Sequence, residues 1–254
     1  MRSVRGLLGS RAALFAAVGI AAVGIAVGLI VASVVGSGGK KVAPTPETSI
    51  SSPTSPAPGD TVNGAAATKA LFRGIPQRLN VLGNPKAPVT MIEFADLQCP
   101  FCRDFALDAL PAIVRDYVRP GKIKLVFAGI AFIGPDSETA LRATYAAGLQ
   151  DSLWNFLDLL YRNQGAENSG WVTEGLLRAV GNSIAGLDVD PLLAARQTAE
   201  VDNALLATNR QATSAHVNAT PTFFAGRTGA TLQRISVSDL RPQAFRPTLD
   251  ALLQ

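Results

Sequence analysis

Residues 93–105 read EFADLQCPFCRDF, and they hold both cysteines of a 254-residue chain, Cys99 and Cys102, with two positions between them. A loop closed over so few residues constrains the unfolded chain little, and disulfide stabilisation grows with loop length. Stability alone therefore does not account for the pair. Three chemistries fit it: a redox-active couple, half of a metal site, or a static disulfide. A structural zinc site takes four Cys or His ligands, and this chain has two cysteines and one histidine. A non-enzymatic Cu(I) carrier would need fewer, and could use the two thiolates with His216.

The flanks of the pair have regular patterning. APVTMIEFAD before it is apolar and bounded by Pro88, as in a strand. CPFCRDFALDALPAIVRDYV has helical spacing, with Phe101, Phe105 and Leu110 facing inward and Arg103, Asp104 and Asp108 outward. Pro100 suits the first helical position, where its missing N–H is no loss, which places Cys99 at the N-cap. Pro111 falls inside the pattern and is expected to kink the helix. KIKLVFAGI then alternates as a strand, so strand, helix and strand form a βαβ unit with a parallel pair. From Asp136 to about Val217 the signals are helical, with Trp154 and Phe156 as core residues of that block. NATPTFFAG and TLQRIS follow as strands, and LRPQAFRPTLDALLQ closes as a helix. Glu93 is a carboxylate in an otherwise apolar strand, an unusual place for one; it is either a buried functional group or a residue paired at the surface. Asp96 and Gln98 flank the cysteines in a loop.

The N-terminus has a different composition. Residues 12–39 contain no charge, a run long enough to span a bilayer core, which needs roughly 20 apolar residues. Residues 12–36 are read as an uncleaved transmembrane anchor, with residues 1–11 cytoplasmic, because Arg2, Arg5 and Arg11 precede the run. The remainder then lies outside the cytoplasm, as a single-pass protein of the cell membrane. Residues 37–68, rich in Ser, Thr, Pro and Ala, read as a disordered tether, and residues 69–254 as one domain with a helical insertion at about 136–210. The net charge of +4 comes from the anchor's flanks: five of the 23 basic residues precede Glu47, leaving 18 against 19 acidic ones. With no basic stripe carrying interleaved aromatics, nucleic-acid binding is unsupported.

Taken in order and spacing, IEFADLQCPFCRDF, the proline in the following helix, ETALRATYAAGLQDSLWNFLDLLY and ATPTFF resemble the membrane-anchored, bacterial DsbA-like thiol:disulfide oxidoreductases of the thioredoxin superfamily, over about residues 75–253. The resemblance implies an α/β thioredoxin fold with an inserted helical domain, here preceded by a single N-terminal transmembrane helix. It implies that Cys99 is the exposed nucleophile and Cys102 the buried resolving partner. A cis-proline loop, mapping onto Thr220 and Pro221, faces them, and Glu93 lies beneath them as a proton relay. It implies no cofactor. The implied partners are reduced, unfolded protein substrates and a quinone-linked membrane reoxidase of the DsbB or vitamin K epoxide reductase type. The same residues would serve a reductase or isomerase. Where many members have a histidine between the cysteines, this chain has Pro100 and Phe101. A thiolate at a helix N-terminus is stabilised, and the Cys99 pKa is expected at about 4–6, below the free-thiol value of about 8.5.

Overall fold

β3 (Val89–Ala95) is buried along its whole length, and its near-continuous apolar run fits a strand covered on both faces. It pairs in parallel with β4 (Ile123–Gly129), from Val89 opposite Ile123 to Ala95 opposite Gly129. On its other side it pairs antiparallel with β5 (Thr222–Arg227), with Glu93 opposite Phe223 and Phe94 opposite Thr222. Two-residue β1 (Gln77–Arg78) and β2 (Val81–Leu82) extend the sheet beyond β4, and β6 (Gln233–Ile235) extends it beyond β5. In this computed structural model, which describes residues 62–254, the strand order is β1-β2-β4-β3-β5-β6.

The alternation of β3 divides the interior. Met91 and Ala95 join the larger core with Phe105, Trp154 and Phe223, while Ile92 and Phe94 pack on the other face with Ala212 and Val217. The β3–β4 crossover is helical from Pro100 to Val118: α2 (Pro100–Asp104), a π turn at Phe105–Ala109, α3 (Leu110–Ile113) and a second π turn at Val114–Val118. The first π turn bears on the kink expected at Pro111. Leu110 N–H bonds the Phe105 carbonyl, five residues back, and a wider turn there accommodates the following proline, which lacks an N–H and crowds the preceding turn. Phe101 departs from its expected inward position and is 61% exposed, whereas Phe105 and Leu110 are buried as expected.

The inserted block is α4 (Pro135–Gly148), α5 (Leu153–Arg162), α6 (Glu174–Asn182), α7 (Val189–Ala195) and α8 (Ala199–Ser214). It begins and ends within a few residues of the span read from the sequence. Trp154 and Phe156 are core residues of α5. α9 (Pro242–Leu252) buries Phe245 and Leu249. Phe105, Phe223 and Phe245 meet ring to ring, with centroids 4.6 Å (Phe105–Phe223), 5.0 Å (Phe223–Phe245) and 5.3 Å (Phe105–Phe245) apart. Such pairs contribute beyond their area burial, and this one locks the cysteine-bearing helix to the strand that follows Pro221. The arrangement is a thioredoxin-like core with a helical insertion.

The domain boundary read at Lys69 is corrected. α1 (Ala65–Phe72) begins before it, Val62 and Thr68 are buried, and the Thr68 hydroxyl donates to the buried Asp158 carboxylate on α5. Among the described residues no helix is long and apolar enough to cross a membrane. The anchor read over 12–36, the cytoplasmic segment 1–11 and the tether up to residue 61 lie outside those residues.

Candidate active site

Cys99 sits at the N-cap of α2 in an extended conformation, with Pro100 at the first helical position. Its carbonyl accepts the Arg103 N–H at 3.1 Å, closing the first turn. Cys102 follows one turn on, and both are free thiols. The expectation of an exposed nucleophile needs correction: Cys99 is only 5% exposed and Cys102 is fully covered. What access there is falls on Cys99. The Thr220–Pro221 peptide is cis, and the Cys99 thiol donates to the Thr220 carbonyl at 3.4 Å. The loop read as facing the pair therefore does so, with the Thr222 hydroxyl tying it back to the Ala219 carbonyl at 2.8 Å.

The two thiols are driven in opposite directions. Cys99 falls from 9.0 to about 6, chiefly because the Cys102 thiol donates to it. Thr220 and the N–H groups of Cys102 and Phe101 add to this, against the opposing effect of burial. Cys102 is held well above 9.0, first by burial, then by its bond to Cys99 and by the charges of Glu93 and Cys99. The Cys99 value lies at the upper end of the range expected from its helical position.

Glu93 lies below the pair, flanked in the sheet by Phe127 and Phe223. It is 4% exposed, and among the described residues its Oε1 has no hydrogen-bond partner. Burial, and then the Cys99 charge, push its carboxyl from 4.5 up to about 8. A carboxyl that keeps its proton at neutral pH beside a high-pKa thiol can exchange that proton as the thiol changes state.

Asp96 and Gln98, read from the sequence only as loop residues flanking the cysteines, centre a polar scaffold around this pair. The buried Asp96 carboxylate accepts four bonds: from Gln98 N–H at 2.8 Å, the Ser137 hydroxyl at 2.6 Å, Phe132 N–H at 2.7 Å and Ile133 N–H at 3.0 Å. Its own carbonyl accepts Cys99 N–H at 3.1 Å and the Tyr161 hydroxyl at 3.2 Å. Gln98 reaches Ser137 and Asn168, and Gln164 Nε2 donates to the Leu97 and Cys99 carbonyls at 2.8 and 3.2 Å. The inserted helices thus hold the loop that presents Cys99. The only available sequence signal was an aspartate directly after an apolar strand, which any loop start also shows. His216 is exposed, and among the described residues no three His, Cys, Asp or Glu side chains converge on a metal position. The three-ligand arrangement of the Cu(I)-carrier reading is not formed.

A fold and a cysteine pair of this kind define a class, and the chain belongs to the thioredoxin family, whose model matches residues 77–240. Among curated proteins it is similar to "Probable disulfide bond formation protein D" of Bacillus cereus, 40% identical over 101 residues, which is 39% of this chain and 47% of that one. It is also similar to "Disulfide bond formation protein D" of Bacillus subtilis, 33% identical over 132 residues, 51% of this chain and 58% of that one. The chain spans about half the length of these relatives. Among solved structures, oxidised BdbD from Bacillus subtilis matches with a TM-score of 0.60 and 25% identity, over 70% of this chain and 97% of that one.

Proposed function

We propose that this protein is a thiol:disulfide oxidoreductase that oxidises reduced, unfolded proteins outside the cytoplasm, tethered by residues 12–36. The observation that carries the reading is the opposed pair, Cys99 lowered to about 6 and Cys102 held well above 9.0, beside the cis Thr220–Pro221 loop. The similarity to proteins named for disulfide bond formation supports the oxidising direction.

In the oxidised protein a substrate thiolate attacks Cys99 Sγ, and Cys102 leaves with the electron pair of the broken disulfide. Its high pKa makes it take up a proton, for which the Glu93 carboxyl is the nearby buried source. A second substrate thiolate then attacks the sulfur joined to Cys99, and Cys99 leaves as the thiolate its surroundings stabilise. Two substrate thiols become one disulfide, and the Cys99–Cys102 pair ends reduced. A quinone-linked membrane reoxidase would withdraw those two electrons.

Incubating the oxidised protein with reduced, denatured ribonuclease tests this. Ribonuclease activity is expected to return as the protein becomes reduced, and the reduced Cys102→Ser variant, given ribonuclease whose thiols are capped as disulfides with glutathione, is expected to displace glutathione and accumulate a mixed disulfide on Cys99. Protein that stays oxidised, or adducts that form equally in Cys99→Ser, would remove the assignment.

A further inference from the structure

The segment that follows α5 takes hold of the cysteine loop twice. Gln98, only 1% exposed, is gripped by its side chain: its Oε1 accepts Asn168 N–H at 2.6 Å, and its Nε2 donates to Asn168 Oδ1 at 3.2 Å and to the Ser137 hydroxyl at 3.0 Å. Asn168 does this from the left-handed region, at φ 55°, a conformation uncommon outside glycine. Its Nδ2 donates to the Ile133 carbonyl at 3.1 Å, and a Cβ on Gly134 would collide with its Oδ1. The second hold is on the backbone. Gln164 Nε2 donates to the Leu97 carbonyl at 2.8 Å and to the Cys99 carbonyl at 3.2 Å. The Cys99 carbonyl also accepts Arg103 N–H, the bond that closes the first turn of α2, so Gln164 acts on the N-cap residue itself. An N-cap residue starts its helix from an extended backbone, which Cys99 has with φ −68° and ψ 121°. That setting brings its Sγ to the N–H groups of Phe101 and Cys102 and to the Thr220 carbonyl.

We propose that Gln164 is a positioning residue of the exchange reaction: by holding the Leu97 and Cys99 carbonyls it keeps the Cys99 sulfur over the N-terminus of α2 and makes the Cys99–Cys102 disulfide a stronger oxidant. This rests on the oxidoreductase reading. A helix N-terminus stabilises a thiolate only while the sulfur stays in line with its free N–H groups, and the Gln164 amide offsets the negative end of the carbonyl beside that sulfur. What stabilises the thiolate stabilises the reduced protein and not the disulfide, so the gain is read as oxidising power.

Gln164→Met keeps the length of the side chain and removes both donors. The Cys99 midpoint in an alkylation titration, about 6 in the wild type, is expected to rise by about one unit. The second readout is the equilibrium in which two glutathione thiols become one disulfide and the Cys99–Cys102 disulfide is reduced; at pH 7 it should move about fivefold toward the protein disulfide, the linked consequence of that rise. Gln164→Lys restores a donor of similar reach and should return both readouts to the wild-type values or carry them past these in the oxidising direction. Asn163→Ala, one position earlier, removes bonds to Asn63 and Leu159 and none to the cysteine loop; both readouts should stay unchanged whatever stability it loses. Wild-type readouts in Gln164→Met, or an equal shift in Asn163→Ala, overturn the proposal while leaving the oxidoreductase standing. A Gln164→Lys midpoint well above the wild-type one overturns it too, whether or not the methionine variant folds. A wild-type protein that does not exchange with glutathione removes both readings.

Discussion

Two buried carboxylates lie three residues apart at the edge of the same site, and their surroundings differ in kind. Asp96 follows β3 directly and accepts from four donors within 3.0 Å, from its own loop, from the β4–α4 loop and from α4. Glu93, in the middle of β3, lies opposite Phe127 on one neighbouring strand and Phe223 on the other, and its Oε1 meets no donor among the described residues. A buried carboxylate with every lone pair engaged acts as a structural strut. One left short of partners is driven toward its protonated form by desolvation, which suits it to giving and taking a proton beside a thiol.

Removing the strut should have the largest effect. Asp96→Ala leaves four donors without an acceptor, and each buried unsatisfied group costs about 1–3 kcal/mol. A loss of about 5 kcal/mol in a denaturant melt is expected, enough to unfold many domains of this size. Asp96→Asn keeps one acceptor oxygen and should lose less. A change below about 1 kcal/mol in Asp96→Ala would show that water replaces the carboxylate, and the contrast with Glu93 would then fail.

For Glu93 the expected effect is smaller and depends on pH. Its folded pKa is raised from 4.5 to about 8, so its favourable contribution is complete below about pH 4.5 and is lost as pH rises toward 8. Between pH 4.5 and 7 the wild-type protein should lose roughly 3 kcal/mol through this group. Glu93→Gln should not, so the variant gains on the wild type as pH rises, read from melts of the reduced proteins at several pH values. Parallel stability curves would mean that Glu93 is hydrated and the orphaned oxygen is not orphaned in solution.

The same contrast explains what the sequence disclosed. Glu93 was legible because a charge inside VTMIEFA breaks an otherwise apolar strand, and the Thr220–Pro221 loop only through the family resemblance that ATPTFF carries. Asp96 was not legible: a polar residue after a strand is ordinary, and three of its four donors, Phe132, Ile133 and Ser137, lie some 40 positions away, joined only by the fold. Phe101 misled the helical pattern because, at the start of α2, a position that periodicity assigns to the core opens onto the site instead. The tether was carried four residues into α1, to Thr68, since AAATKALF is small and weakly patterned, and its helix is held by contacts such as Thr68 to Asp158. β1 and β2 are too short to carry a period.

The smallest expected effect is the sharpest test of how Glu93 and Cys99 are coupled. Cys99 ionises at about 6 and Glu93 keeps its proton to about 8, so Glu93 is neutral throughout the Cys99 titration and exerts no charge on it. Glu93→Gln should therefore leave the Cys99 midpoint near 6 in an alkylation titration. The reverse influence is not null: the Cys99 thiolate helps to raise Glu93, so Cys99→Ser should lower the Glu93 midpoint, while burial, the larger cause, keeps it above 4.5. The sign for Cys99 is opposite to that for Glu93. Its depressed pKa stabilises the reduced protein fully above about pH 9, and the contribution is lost as pH falls through about 6. At pH 7 it amounts to roughly 1.4 kcal/mol, present in the reduced form and absent from the oxidised one, where no thiol titrates. Reduced and oxidised melts should therefore converge toward pH 6 through this group and separate above it, in Glu93→Gln as in the wild type. A Cys99 midpoint displaced well below 6 in Glu93→Gln would show instead that the carboxyl is already charged at that pH, and that its want of donors does not set it apart from Asp96.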